Sequence, residues 1–157
     1  MRTESGFSLV EVLTVVAITA ILAAIALPNI LVQSNQARLR GAANNLRGDL
    51  QAAKMVAIRE NALVVVNLFA NRYEIFVDNG AGANAGNWGR DADEPLVVSR
   101  PIEPGVSIDL AATDLASDRT RFNERGLPEN FGRIVLVNSQ AGQRQITLNR
   151  LGRITAP

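Results

Sequence analysis

Gly6-Phe7-Ser8-Leu9-Val10-Glu11 opens an apolar run, FSLVEVLTVVAITAILAAIAL (residues 7–27), that ends against Pro28. Only Ser8, Thr14, Thr19 and one charge, Glu11, interrupt it. At about 1.5 Å per helical residue the run extends about 30 Å, the thickness of a bilayer's hydrocarbon core. It is a candidate membrane span. Six residues, MRTESG, precede it, and Glu4 partly offsets Arg2, so the positive-inside cue is weak. Ala24-Ile25-Ala26 fits the small-x-small pattern of a signal peptidase site, which would make the run a cleaved signal. Its length and its internal carboxylate argue against that. A lone Glu near the middle of a membrane helix costs about 2.5–3.5 kcal/mol, less near an end, and calls for a partner. The simpler alternative is a solvated Glu in a frayed first turn, favoured by the helix dipole.

Composition narrows the function. The 157 residues carry 16 Lys+Arg against 15 Asp+Glu, with no His and no Cys. Without imidazole or thiolate, the commonest general base, the usual transition-metal ligands and Ser-His-Asp or Cys nucleophiles are all missing. Carboxylate chemistry and oxygen sites for hard cations survive the cut, because they need only Asp, Glu, Asn and carbonyls. Missing Cys also forbids disulfides, which leaves the redox compartment open.

Beyond Pro28, where a kink is expected, helical periodicity resumes. Leu39, Ala43, Leu46, Leu50, Ala53 and Ala57 recur at alternating spacings of four and three and form one narrow stripe, while Gln36, Arg40, Arg47, Gln51 and Lys54 take other faces. One kinked helix through residues 7–60 is expected, membrane-spanning over 7–27 and amphipathic over 28–60. From 63 the period changes to that of strands: 63–69, 73–77, 96–100, 106–110, 119–123, 133–138, 144–149 and 153–155, with a hairpin turn at 70–72. Residues 78–95, rich in Gly, Ala and Asn and holding Trp88, read as a mobile, exposed loop. The fold class is α+β, a long helix packed on an antiparallel β domain (61–157).

The Gly-Phe-Ser-Leu-Val-Glu spacing, with an aliphatic helix and Pro28 behind it, resembles the class III leader and first helix of type IV pilins and type II secretion pseudopilins. The resemblance implies a leader at 1–6, cut by a prepilin peptidase between Gly6 and Phe7, and methylation of the new N-terminal residue. It implies that Glu11 pairs with the terminal amine of a neighbouring subunit. It also implies single-pass anchoring in a bacterial inner membrane with the β domain in the periplasm, then assembly with other pilin-like subunits through the helix and the β domain. Further on, Phe122, Gly126, Gly132-Arg133-Ile134-Val135-Leu136, Gln145-Ile146-Thr147-Leu148 and Leu151-Gly152-Arg153-Ile154 resemble the C-terminal domain of the GspH/FimT group of minor pseudopilins and minor pilins. Many major pilins close a C-terminal loop with a disulfide, and a chain without Cys departs from that pattern. The implied protein is a structural, non-enzymatic subunit without cofactor, placed near the tip of a filament.

Two further groups were weighed as sites. Asp91, Asp93 and Glu94, with Asp78 and Asn79 at the other end of the loop, could gather oxygen ligands for Ca²⁺, but their spacing is irregular and solvated acids are the plainer reading, so no metal site is assigned. Of the 15 Arg, eight lie from position 100 onward. Arg suits phosphate, and FimT-like proteins of competence pili bind DNA through a C-terminal Gly-Arg-x-Arg motif. Here Gly152-Arg153-Ile154-Thr155 carries Thr in the last place, so Arg144, Arg150 and Arg153 define a nucleic-acid alternative weighed against exposed strand arginines. A membrane-anchored carboxylate hydrolase finds no paired acids on a recognisable motif.

Overall fold

A computed structural model describes residues 8–79 and 86–156, without the side chains of residues 25–31. The chain divides into two compact units, Met1–Ser34 and Asn35–Pro157. One helix, α1 (Leu9–Glu60), belongs to both, and its helical backbone continues through position 28.

Over residues 9–24 the helix is apolar nearly all round. Leu9, Val10, Val12, Leu13, Val15, Val16, Ile18, Ile21 and Leu22 are each between 52% and 76% exposed and leave no polar face. A helix of this kind is stable only inside a larger apolar environment, either a bundle or a membrane. Among the described residues no helix is long and apolar enough to cross a membrane.

In the second unit the helix becomes one-sided. Leu39, Ala43, Leu46, Leu50, Ala53 and Ala57, the stripe read from the sequence, are all at most 3% exposed, joined by Ala42. Gly41 and Gly48 lie off this stripe, with nothing within 4 Å of where a Cβ would stand. Gly41→Ala and Gly48→Ala are therefore each expected to raise stability by about 1 kcal/mol, since alanine restricts the unfolded chain and clashes with nothing. The urea midpoint of the full chain in detergent reads this, and a fall would mean that the helix tolerates no methyl there.

Among the described residues eight antiparallel strands follow: β1 (Val64–Phe69), β2 (Arg72–Val77), β3 (Leu96–Pro101), β4 (Val106–Ile108), β5 (Arg119–Phe122), β6 (Gly132–Asn138), β7 (Gln143–Leu148) and β8 (Ile154–Thr155). They form two four-stranded sheets, ordered β3-β2-β1-β5 and β4-β6-β7-β8. Phe69 pairs with Arg72, so the first hairpin turns on Ala70-Asn71, one residue shorter than expected. That turn also joins the sheets, because Asn71 O accepts Ile102 N and Ala70 O accepts Ile108 N, both at 2.8 Å. Val64, Val66, Ile75, Phe122, Ile134, Leu136, Ile146 and Leu148 pack with the helical stripe into one core.

A polar triad pins the helix to the first sheet. Tyr73 donates its hydroxyl to Asp49 Oδ2 at 2.6 Å, and Arg100 Nε donates to the same oxygen at 2.8 Å. Burial, then the hydrogen bond to Asp49 and its charge, hold the Tyr73 phenol well above its ordinary value near 10, and Asp49 likewise raises Arg100. An unfolded tyrosine ionises near pH 10 while the folded one does not, so this stability is complete below about pH 10 and is lost as pH rises beyond it. Tyr73→Phe is expected to flatten the fall in urea midpoint between about pH 9 and 11, and to lower stability at pH 8 by about 1 kcal/mol through the lost hydrogen bond. An alkaline fall as steep in the variant as in the parent would refute this account.

Candidate assembly site

The first turn of α1 is set by Ser8, whose carbonyl accepts Glu11 N at 3.0 Å and Val12 N at 3.2 Å. Glu11 is thereby fixed in the helix's first turn with its carboxylate exposed, close to the positive end of the backbone dipole. The neighbouring polar side chains satisfy themselves: Thr14 Oγ1 donates to Val10 O at 2.8 Å, and Thr19 Oγ1 to Val15 O. Both hydroxyls can therefore enter an apolar medium without a partner. Glu11 differs. Among the described residues its carboxylate has no hydrogen-bond or ion-pair partner, so in such a medium it needs a cation from beyond the described residues. Gly6 and Phe7, the expected processing pair, lie outside the described residues, as does the side chain of Pro28.

The loop after β2 departs from expectation, and the correction concerns its acids. Asp78 and Glu94 are buried, at 3% and 2% exposure, and are not solvated. Asp78 accepts the backbone N–H of Gly86 at 2.8 Å and of Trp88 at 3.2 Å, and lies 3.4 Å from Arg121 Nη1. Arg121 also donates to Gly86 O at 2.9 Å and to Glu129 at 2.8 Å, while Glu94 Oε2 accepts Asp91 N. Trp88 lies against both Arg121 and Arg119, 4.2 and 5.1 Å from ring centre to guanidinium carbon. Segment 86–95 thus folds over the outer face of the first sheet, where Val65 and Phe76 pair and are fully buried. The carboxylates of Asp78 and Glu94 are thus engaged by backbone N–H groups and, for Asp78, an arginine, while Asp91 accepts from the Asn87 amide, and no group of three acids that could hold a metal occurs among the described residues. The overlooked signal was the alternation Arg119-Thr120-Arg121-Phe122, which sets two arginines on one face of a buried strand.

The three arginines of the nucleic-acid alternative do not converge. Arg144 shares a strand face with buried Ile146 and Leu148 and lines a groove with Arg40, Ala43 and Asn44 of the helix. Arg150 lies over the Phe131 ring at 4.7 Å, and Arg153 is exposed in the same turn, which packs against Lys54, about four helical turns from Arg40.

The glycines of the C-terminal pattern are explained by close approach. At Gly152, φ is +70° and a Cβ would stand 2.5 Å from Gly126 O, beside Lys54 Nζ, which donates to Gly152 O at 3.0 Å. At Gly132 a Cβ would meet the Asp114 carbonyl. Side chains at either position would push the C-terminal turns off the helix and off the 109–115 segment.

Comparison with known proteins agrees with this architecture. The family model for the prokaryotic N-terminal methylation motif matches residues 1–27. Pilin-like protein PilA1 of Thermus thermophilus is 30% identical, over 96% of this chain and 97% of its own. Competence protein ComGD of Bacillus subtilis is 25% identical, over 85% and 80%. Two solved structures share the fold: the type IV minor pilin FimU of Pseudomonas aeruginosa (TM-score 0.57, 14% identity, 79% of this chain and 91% of that one) and the minor pseudopilin EpsH of the Vibrio cholerae Type 2 Secretion System (TM-score 0.58, 13% identity, 76% and 96%). The family model described as type II transport protein GspH matches residues 42–152, most of the chain, and the protein belongs to that family of pilin-like minor subunits.

Proposed function

We propose that this protein is a minor subunit built into the tip region of a type II secretion pseudopilus or a type IV pilus, acting by packing and docking and not by catalysis. A prepilin peptidase removes residues 1–6, Phe7 becomes the methylated amino terminus, and residues 7–27 hold the chain in the inner membrane with the β domain in the periplasm. Pro28 bends the helix where the anchor ends. The observation that carries the reading is the stretch 9–24 of the helix, exposed and apolar, with the carboxylate of Glu11 in its first turn and without a partner among the described residues. Four residues separate Phe7 from Glu11, about one helical turn, so the amine of one subunit and the carboxylate of the next sit at the same depth when two helices are offset by that turn. Neutralising both in a low-dielectric bundle favours that offset over others.

Mass spectrometry of the mature chain tests the reading. A chain that begins at Phe7 and carries one methyl group is expected. An intact Met1, or a chain that begins at Leu27 after cleavage by signal peptidase, would overturn it.

A further inference from the structure

In the Asn35–Pro157 unit, five of the large exposed apolar side chains, Met55, Ile58, Leu127, Phe131 and Leu151, come from three segments that meet. A Cβ on Gly126 would touch Ile58 Cδ1 at 2.8 Å and the Lys54 side chain at 3.0 Å, and one on Gly152 would touch Gly126 O. Leu127 and Leu151 are the chain neighbours of these two glycines, Arg150 stacks on Phe131, and Met55 is one helical turn from Ile58. The last turns of α1 and the 123–131 and 149–153 segments therefore share one apolar face.

Both leucines are held rigidly. Asn123 Oδ1 accepts Arg125 N and Leu127 N, each at 3.0 Å, and Asn149 Oδ1 accepts Leu151 N at 3.0 Å and Arg153 N at 2.9 Å. Each turn also contains a glycine of positive φ, Gly126 at +72° and Gly152 at +70°. Leu151 is 76% exposed on such a turn and so contributes little to the core. Fixed before binding, it loses little entropy when a partner covers it. Around the face stand exposed Arg125, Arg150 and Arg153, with Glu124 on the same turn as Arg125, while Lys54 is held by Gly152 O and Glu129 by Arg121.

We propose that this face docks a different pilin-type subunit, through an apolar surface rimmed by Asp and Glu that meets Leu127 and Leu151. Charge selects the occupant. Two copies of this chain joined face to face would set Arg125, Arg150 and Arg153 against one another, and like charges so placed disfavour association. An acidic rim pairs with all three. The inference rests on the filament-subunit reading and adds to it the surface used and the chemistry of the neighbour.

The test is photo-crosslinking of the full chain in the cells that make it, with p-benzoylphenylalanine in place of Leu127, Leu151, Gln140 as an exposed control in the turn at the other end of β7, beside Asn138 and Asn35, or Val16 within the helix. Positions 127 and 151 are expected to give adducts with one other pilin-type protein, identified by peptide sequencing, and position 140 none. Arg150→Glu with Arg153→Glu is expected to reduce the adduct from position 127 at least tenfold without changing the melting temperature. Adducts from 127 and 151 only to lipid, to nucleic acid or to a second copy, or no adduct at all, would overturn the docking face. Position 16 keeps the two readings apart: filament adducts there with none from 151 remove the docking face and leave the subunit reading standing. Absence at both positions removes both.

Discussion

A chain carrying Glu11→Leu is expected to be cut and held in the membrane in normal amounts, yet to enter filaments at about a tenth of the parental level or less. With residues 7–27 held in the membrane as proposed, an unpartnered carboxylate near the end of that helix would destabilise the waiting subunit by up to about 2.5–3.5 kcal/mol. Pairing with a neighbour's amine would relieve that penalty, so the charge would drive the subunit from bilayer to bundle. Leucine makes the waiting state comfortable and removes the relief on assembly. Even half of the penalty, about 1.4 kcal/mol, corresponds to a tenfold change in the partition between membrane and filament. Thr14 and Thr19 offer no substitute, because their hydroxyls already donate to Val10 and Val15 carbonyls within the same helix. The measurement is a quantitative immunoblot of sheared filaments against the membrane pool. Equal incorporation of Glu11→Leu would show that the carboxylate has no assembly role. Glu11→Gln serves as a companion: it keeps the size and loses the charge, so it should behave like Leu if attraction to an amine is the cause.

The second large effect is expected at Asp78. Its side chain is fully buried and accepts two backbone N–H groups from segment 86–95 while it faces Arg121, itself only 12% exposed. Asp78→Ala leaves the Gly86 and Trp88 amides unpaired and Arg121 with part of its counter-charge gone. Removing one member of a buried pair of this kind costs about 3 kcal/mol or more, a large share of the stability of an ordinary domain. Trp88 is the sole tryptophan, so its emission reports this segment alone. The variant should unfold at lower urea and, before unfolding, emit to the red of the parent as water reaches the indole. Unchanged emission with an unchanged midpoint would mean that the segment is held by other contacts.

How much was legible depended on the range of the interaction. The core stripe from Leu39 to Ala57 was readable because helical periodicity is local: a residue's face follows from its position modulo 3.6. The strand runs were readable for the same reason: the observed β1, β2 and β6 differ from expectation by one residue at one end, and β7 by one at each end. Their distribution between two sheets was not. β1 pairs with β5 across more than fifty residues, and the run Val64-Val65-Val66 gives no hint that Val65 is buried on the face opposite its neighbours. The acids at 78 and 94 were misread for a related cause. An acid in a polar segment looks solvated until a distant strand supplies Arg121 and the segment's own amides turn inward.

The sequence by itself determined the helix, its division into an apolar-all-round part and a one-sided part, the anomalous charge at Glu11 and the membership of a pilin-like group, because each is written in spacing along the chain. Tertiary structure decided which residues share a surface. It set Arg144 beside Arg40 and the turn of Arg150 and Arg153 beside Lys54, and folded the 86–95 segment over Val65 and Phe76. It also brought Gly126, the neighbour of Leu127, against Ile58 and Gly152, the neighbour of Leu151, against Gly126, at two positions of positive φ. These outcomes depend on packing between segments tens of residues apart, where the energy lies in contacts that no local pattern encodes.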